Sequence, residues 1–113
     1  MEYSCAMIIK ETSIFTKIIL DAMPDDDYRQ LQEELIKNPM LGKIITGSGG
    51  IRKVRWNMPE KGKRGGIRII YYWITAEDQI YMLYAYPKAK QENLTPDQLK
   101  TLKKVVEEEL YHE

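Results

Sequence analysis

The sequence has few of the side chains on which metal sites and nucleophilic catalysis depend. Among its 113 residues there is one cysteine, Cys5, and one histidine, His112, which we expect to be frayed near the chain end. Zinc and non-haem iron sites use clustered His, Cys or carboxylate ligands, and a Ser-His-Asp or Cys-His arrangement needs a positioned histidine. We therefore predict no metal and no small-molecule cofactor, and we interpret Cys5 as a small buried side chain.

Long apolar runs are absent too. No stretch of 18 apolar residues is present, so we predict no membrane span. Glu2 and a seven-residue uncharged stretch before Lys10 do not fit a signal peptide. With a hydrophobic content of 43%, the sequence is typical of one cytoplasmic domain over residues 1–113 with a modest core.

The net charge is zero, but the charges are segregated along the chain. Seven cations and a single acid, Glu60, fall between positions 52 and 68, whereas acids collect at 21–34 and 107–109. A segregated basic patch attracts polyanions whatever the total charge is, although many such patches are only solvated faces. The seven cations are Arg52, Lys53, Arg55, Lys61, Lys63, Arg64 and Arg68.

Hydrophobic periodicity predicts an α+β domain with the order β-α-α-β-β-β-α. A strand at 4–11 precedes a helix capped by Ser13, which carries an apolar stripe and is broken by Pro24. A second helix has its N-cap and first-turn charge in 25–27 and stops before Pro39. The apolar stripes of these helices are Ile14, Phe15, Ile18, Ile19 and Ala22, then Tyr28, Leu31, Leu35 and Ile36.

The pattern in the second half of the sequence predicts three strands and a final helix. A flexible GSGG connection leads into a strand at 51–57, and a glycine-rich loop at 58–66 leads into another at 67–75. The strand QIYMLYAYP follows, and Thr95 with Gln98 forms a capping box for the last helix. The expected sheet is four-stranded and mainly antiparallel, with two helices before it and one after it.

Pairing of the strands on either side of the 58–66 loop would place the cations at 52–55 beside Arg68. Strand alternation puts Arg68, Ile70 and Tyr72 on one face and Ile67, Ile69, Tyr71 and Trp73 on the other. Gly65 and Gly66 allow a turn or a close approach of the backbone. We therefore expect the sheet to present a cationic end to solvent.

Arginine, lysine and tyrosine in this pattern suit phosphodiester chemistry on RNA. Guanidinium groups hold a phosphate in a bidentate manner and stabilise charge in the transition state. Aromatic side chains, among them Trp56, offer stacking surfaces for bases, although the tyrosines of these strands are more often core residues. A lysine in a cationic cluster is a candidate base toward a 2′-OH or acid toward the leaving 5′-oxygen.

The sequence resembles the RelE/HigB toxins of bacterial type II toxin–antitoxin modules, most closely the HigB-like branch. The resemblance covers nearly the whole chain and rests on GSGGIRKVRWN, KGKRGGIRIIYYW and YAYPKAKQENLTPDQLK, with DDDYRQLQEELIKNPMLG upstream. It implies a compact RelE-like fold with a curved sheet, and ribosome-dependent, metal-independent cleavage of mRNA by attack of the 2′-OH on the adjacent phosphate. It also implies a cognate antitoxin that binds the toxin directly and, in this branch, carries a helix-turn-helix domain.

The resemblance also assigns roles to residues. Arg68 matches the arginine expected to hold the phosphate, while Lys53 and Arg55 match the basic strand before it, which makes Lys53 the candidate general base. Ala89 replaces an expected arginine and the ENLT stretch an expected tyrosine, so the general acid stays open between Tyr86, Lys88 and Lys90. The predicted RNA- or ribosome-binding residues are Arg52, Lys61, Lys63, Arg64, Lys90 and Trp56.

Two other functions stay open. A non-enzymatic gyrase poison of the ParE type shares the fold and would stop DNA replication before protein synthesis. A degenerate module that only binds an antitoxin and regulates transcription would be harmless when expressed alone. The aromatic-basic strand block and the KRGG loop favour the nuclease over the gyrase poison.

Overall fold

The computed structural model describes residues 7–57 and 66–110. These residues have the predicted α+β order with one short strand added. None of the helices in the two described ranges is long and apolar enough to cross a membrane. The elements are β1 (Ile8–Glu11), α1 (Ser13–Ala22), α2 (Asp25–Lys37), β2 (Lys43–Ile44), β3 (Arg52–Trp56), β4 (Ile67–Ile74), a 3₁₀ turn (Thr75–Glu77), β5 (Gln79–Pro87) and α3 (Pro96–Leu110).

The sheet has five strands in the order β1-β5-β4-β3-β2 and is mixed. The strands β2, β3, β4 and β5 are antiparallel neighbours, whereas β1 runs parallel to β5, with Ile8 opposite Gln79 and Glu11 opposite Met82. The prediction of four strands missed β2, because two residues are too few to show a period. The direction of β1 is set by its distant partner and not by its own sequence.

Helices cover both faces of the sheet. The helices α1 and α2 bury Phe15, Ile19, Leu31 and Leu35 on one face, and α3 buries Leu102 and Val106 on the other. The predicted alternation along β4 is confirmed, because its residues divide between the two cores in that way. The first core takes Ile67, Ile69 and Tyr71, with Trp73 packed against it, and the second takes Ile70, with Tyr72 packed against it.

The helix starts differ in part from the prediction. Thr12 and not Ser13 caps α1, because its hydroxyl accepts a hydrogen bond from the Phe15 amide at 3.0 Å. The N-cap of α2 is Pro24, which has no side-chain capping bond, although the acids at 25–27 do lie in the first turn. Ile14 and Ile36, predicted on apolar stripes, are 49% and 40% exposed.

The capping box of α3 is confirmed. The Thr95 amide donates to Gln98 Oε1 at 2.9 Å, and the Gln98 amide donates to Thr95 Oγ1 at 3.0 Å. This pair satisfies two amides of the first turn, which would otherwise have no partner within the helix. The start of α3 is therefore well fixed, and so is the end of the segment that leads into it from β5.

The GSGG connection before β3 is an ordered turn and not the flexible link that was predicted. Ser48 is buried, and its hydroxyl accepts from the Ile51 amide at 2.9 Å and donates to the Ile51 carbonyl at 3.2 Å. Gly50 has φ of 111°, a conformation that an L side chain rarely adopts. This turn fixes the point at which the basic strand β3 begins.

Candidate active site

Cationic and phenolic side chains form a row across three neighbouring strands. Arg55 of β3 lies opposite Arg68 of β4, and Arg68 lies opposite Tyr86 of β5. Residues that lie opposite each other in a sheet have side chains on the same face. Lys53, two residues before Arg55 and opposite Ile70, is on this face as well. We call these four residues, Lys53, Arg55, Arg68 and Tyr86, the cationic row.

A pocket of about 350 Å³ opens at this row. The strands β2, β3 and β4 contribute its cations, and the segment between β5 and α3 contributes a carboxylate and an amide. This mixture of groups suits an anionic ligand that also needs hydrogen-bond partners. The residues that line the pocket are Leu41, Lys43, Lys53, Val54, Arg55, Arg68, Glu92 and Asn93.

Burial increases along the row from β3 to β5. Arg55 is exposed and Lys53 is half-buried, whereas Arg68 is only 5% exposed. The expectation that Arg68 lies at a solvent-exposed strand end is therefore wrong, because its neighbours are Arg55 and Tyr86 on the flanking strands and the segment at 92–93. A charge in such a partly desolvated place interacts more strongly with a bound phosphate than a surface charge does.

Tyr86 is the most buried member of the row, with 2% exposure. Its hydroxyl has no hydrogen-bond partner among the residues that the structure describes. Burial raises the pKa of Tyr86 above its ordinary value, and the positive charge of Arg68 opposes this shift. The phenol is therefore protonated at neutral pH and has a proton to donate to a ligand bound beside Arg68.

Gly66 joins β3, β4 and the segment after β5 next to the row. Its φ is 70°, and a Cβ at this position would lie 2.2 Å from the Trp56 carbonyl oxygen. Its own carbonyl accepts a hydrogen bond from the Lys88 amide at 3.2 Å. The positive φ fits the turn that was predicted for this glycine, whereas its approach to a ligand stays a prediction and Gly65 lies outside the described residues.

Arg52 and Trp56 lie on the opposite face of the sheet. Arg52 is opposite Tyr71, and its guanidinium donates to the Gly42 carbonyl at 2.7 Å. Trp56 packs against the core beneath α1 and α2. Neither side chain lines the pocket at the cationic row, although Trp56 lines a neighbouring cavity with Arg55, and the predicted RNA contacts of both residues stay predictions.

Lys88 and Lys90 follow β5, where both side chains are exposed. Lys90 lines a separate cavity with Lys17 and Tyr86, so it lies beside the buried end of the row. Of the three candidates for the general acid, Tyr86 is the one placed within the row. The three remaining predicted binding residues lie in 58–65, outside the described residues: Lys61, Lys63 and Arg64.

No metal site is formed by the side chains described here. Within 7–57 and 66–110, no three His, Cys, Asp or Glu side chains lie together in a way that would hold a metal ion.

Comparison with known proteins identifies the family. Residues 15–112 match the family model described as the RelE toxin of the RelE/RelB toxin–antitoxin system. The chain belongs to the RelE toxin family. The HigB-like branch within it stays a prediction.

Solved RelE structures share the fold. The toxin in the intact E. coli RelBE toxin–antitoxin complex is 15% identical, with a TM-score of 0.55, over 73% of this chain and 96% of that chain. The isolated E. coli RelE toxin is 12% identical, with a TM-score of 0.55, over 88% and 99%. At such identities these matches show the fold, which is RelE-like as the resemblance implied.

This RelE family member places two residues in the pocket that sequence reasoning missed. Glu92 and Asn93 belong to the ENLT stretch, which was noted only as a departure from the family pattern. They line the pocket beside Lys53, whose ammonium donates to Asn93 Oδ1 at 2.8 Å. A loop shows no periodicity, so its sequence gave no signal for this placement.

Proposed function

We propose that this RelE family toxin is a ribosome-dependent mRNA endonuclease that arrests translation. The observation that carries the proposal is the cationic row, in which two guanidinium groups, a lysine and a buried protonated phenol share one face of the sheet, and the three cations line one pocket. Phosphodiester cleavage without a metal needs this set of groups: a phosphate holder, a proton acceptor and a proton donor.

The two arginines hold the scissile phosphate. Arg68, in its buried position, and Arg55, at the exposed end, contact its non-bridging oxygens from neighbouring strands. Guanidinium groups match the geometry of phosphate oxygens, and the charge that develops on these oxygens in the transition state strengthens the contact. This differential binding lowers the activation barrier.

Lys53 and Tyr86 move the protons. Lys53, as the free amine, takes the proton of the 2′-OH, and the 2′-oxygen forms a bond to phosphorus. The bond between phosphorus and the 5′-oxygen breaks, and the 5′-oxygen takes the proton of Tyr86, with Lys88 and Lys90 as alternative donors. The products are a 2′,3′-cyclic phosphate and a 5′-hydroxyl. Lys53 then loses its added proton to solvent, and the general acid regains a proton from solvent, which restores the starting state.

The proposed partners are the translating ribosome with its mRNA and a cognate antitoxin. The family is described by its toxin–antitoxin system, and one matched structure is the intact complex of a toxin with its antitoxin. We propose that the antitoxin of this chain carries a helix-turn-helix domain. Both the toxin and its target would then act in the cytoplasm.

The test is induction of the chain alone in bacteria, with 5′-end mapping of a translated message. We expect growth arrest with cuts inside reading frames. In vitro, single-turnover cleavage by Arg55→Ala and by Arg68→Lys should fall by about 10²–10³-fold, because each change removes a bidentate contact to the transition state. We choose Arg68→Lys because it keeps the positive charge at the buried position. Arg68→Ala would remove this charge and so would also disturb the fold.

Thermal unfolding of each variant is the control for folding. Growth arrest with an intact message, or inhibition of DNA replication before protein synthesis, would contradict the nuclease proposal and indicate a gyrase poison. Normal growth after induction would contradict both toxic functions and indicate a module that only binds an antitoxin. Full activity of both arginine variants would show that the cationic row does not hold the phosphate.

A further inference from the structure

A side-chain hydrogen bond joins the segment between β5 and α3 to the cationic row. Lys53 Nζ donates a hydrogen bond to Asn93 Oδ1 at 2.8 Å, across 40 positions of sequence. No other hydrogen bond within the described ranges joins Lys53 to a side chain. The orientation of the lysine head group in the free protein therefore depends on Asn93.

Asn93 is itself held in place from α3. Gln91 Nε2 donates to the Asn93 carbonyl at 2.9 Å and to Gln98 Oε1 at 3.0 Å. Gln98 is fixed in turn by the capping box with Thr95. A chain of hydrogen bonds thus runs from the first turn of α3 through Gln91 and Asn93 to Lys53.

We propose that Asn93 is a positioning residue for Lys53. This inference rests on the proposed function, in which Lys53 accepts the 2′-OH proton. A lysine head group stands on a flexible four-carbon stem, and holding it in one place restricts many rotamers. The neutral amide oxygen of Asn93 accepts one N–H of this head group and so orients it at the pocket.

An amide suits this position better than a carboxylate would. A carboxylate would hold the head group equally well, but its charge would stabilise the ammonium form, which has no lone pair. The neutral acceptor orients Lys53 without this penalty. The charged groups that line the pocket around Lys53 are Lys43, Arg55, Arg68 and Glu92.

The test compares Asn93→Ala and Asn93→Asp in the full chain. With programmed ribosomes, we expect Asn93→Ala to lower the single-turnover rate constant about 10-fold, as is usual for a lost orienting partner, at unchanged ribosome affinity. Asn93→Asp should move the rising limb of the pH–rate profile upward by about one pH unit and recover much of the rate above it. Asn38→Ala is the matched control, because Asn38 is exposed at the end of α2.

A second readout does not depend on cleavage. The Cε chemical shift of Lys53 in the free protein, followed by NMR against pH, should titrate at higher pH in Asn93→Asp than in the unsubstituted chain. If neither variant changes the rate, the pH profile or this titration, Asn93 does not position Lys53. If the titration moves but the unsubstituted chain does not cleave, the contact stands and the proposed function is overturned.

Discussion

Arg68 and Tyr86 are side by side in the sheet, and both are nearly inaccessible to solvent. Burial of the Arg68 guanidinium costs desolvation free energy, and the Tyr86 hydroxyl is buried with no hydrogen-bond partner in the described part of the chain, so stability alone favours neither arrangement. Strained or unsatisfied groups of this kind concentrate at functional sites. At the scale of single residues, these features support the proposal that the row binds and cleaves a ligand.

Tyr86→Phe separates stability from activity at this scale. Because the hydroxyl has no partner in the described structure, its removal should leave the free energy of unfolding unchanged or raise it by up to about 1 kcal/mol. Cleavage should fall at least about 10²-fold, because a general acid is lost. Urea unfolding and single-turnover cleavage measure the two effects.

Tyr81→Phe is the control for this substitution, since Tyr81 is on the same strand and outside the pocket. It should leave cleavage unchanged. Undiminished cleavage by Tyr86→Phe would give the acid role to Lys88 or Lys90.

The sequence predicted the members of the row but not their burial. Alternation correctly placed Arg68 and Ile70 on one face, because period 2 is a property of the strand itself. The burial of Arg68 depends on neighbours from distant parts of the chain, among them Tyr86 and the segment at 92–93. The hydrogen bond from Lys53 to Asn93 spans 40 positions, so the sequence pattern around either residue gives no sign of it.

At the scale of elements, α3 has two tasks. It closes the second core with Leu102 and Val106, and its first turn holds the segment that carries Asn93. The helix was predictable because its capping box and its apolar stripe lie within 15 residues. The strand β2, with only two residues, and the parallel pairing of β1 were not predictable, because both depend on partners elsewhere in the sheet.

Leu102→Ala and Leu110→Ala test the packing of α3. Leu102 is 7% exposed, so its truncation should lower the free energy of unfolding by about 2–5 kcal/mol through lost burial and a cavity. Leu110, on the same helix but 41% exposed, should change it by less than about 0.5 kcal/mol. Chemical denaturation measures the free energy of unfolding of both variants. Equal decreases in the two variants would contradict the packing of α3 on the sheet.

At the scale of the whole molecule, titratable groups join distant elements. Tyr28 of α2 donates a hydrogen bond to Glu11 of β1, and Lys10 of β1 forms an ion pair with Glu109 of α3. The ammonium of Lys10 also lies 5.9 Å from the centre of the Tyr81 ring. The strand β1 is therefore connected by polar contacts to helices on both faces of the sheet.

These contacts predict how stability depends on alkaline pH. Burial and the hydrogen bond to Glu11 raise the pKa of Tyr28, burial raises that of Tyr71, and the hydrogen bond to Glu109 raises that of Lys10. A group whose pKa is higher in the folded state binds protons more tightly there than in the unfolded chain. The contribution of such a group to the free energy of unfolding is complete below its unfolded-state pKa, which is about 10 for tyrosine and lysine. This contribution is lost as pH rises above that value.

The urea midpoint should therefore be nearly constant from about pH 7 to pH 9 and fall above about pH 10. Tyr28→Phe should lower the midpoint at neutral pH, because Glu11 loses a hydrogen-bond donor, but it should also make the alkaline fall shallower. The informative quantity is the slope of the urea midpoint against pH in the alkaline range, since a general loss of stability would lower the midpoint without changing this slope. A midpoint that stayed level or rose between about pH 9 and pH 11 would mean that these phenols and this ammonium are not held in their protonated forms by the fold.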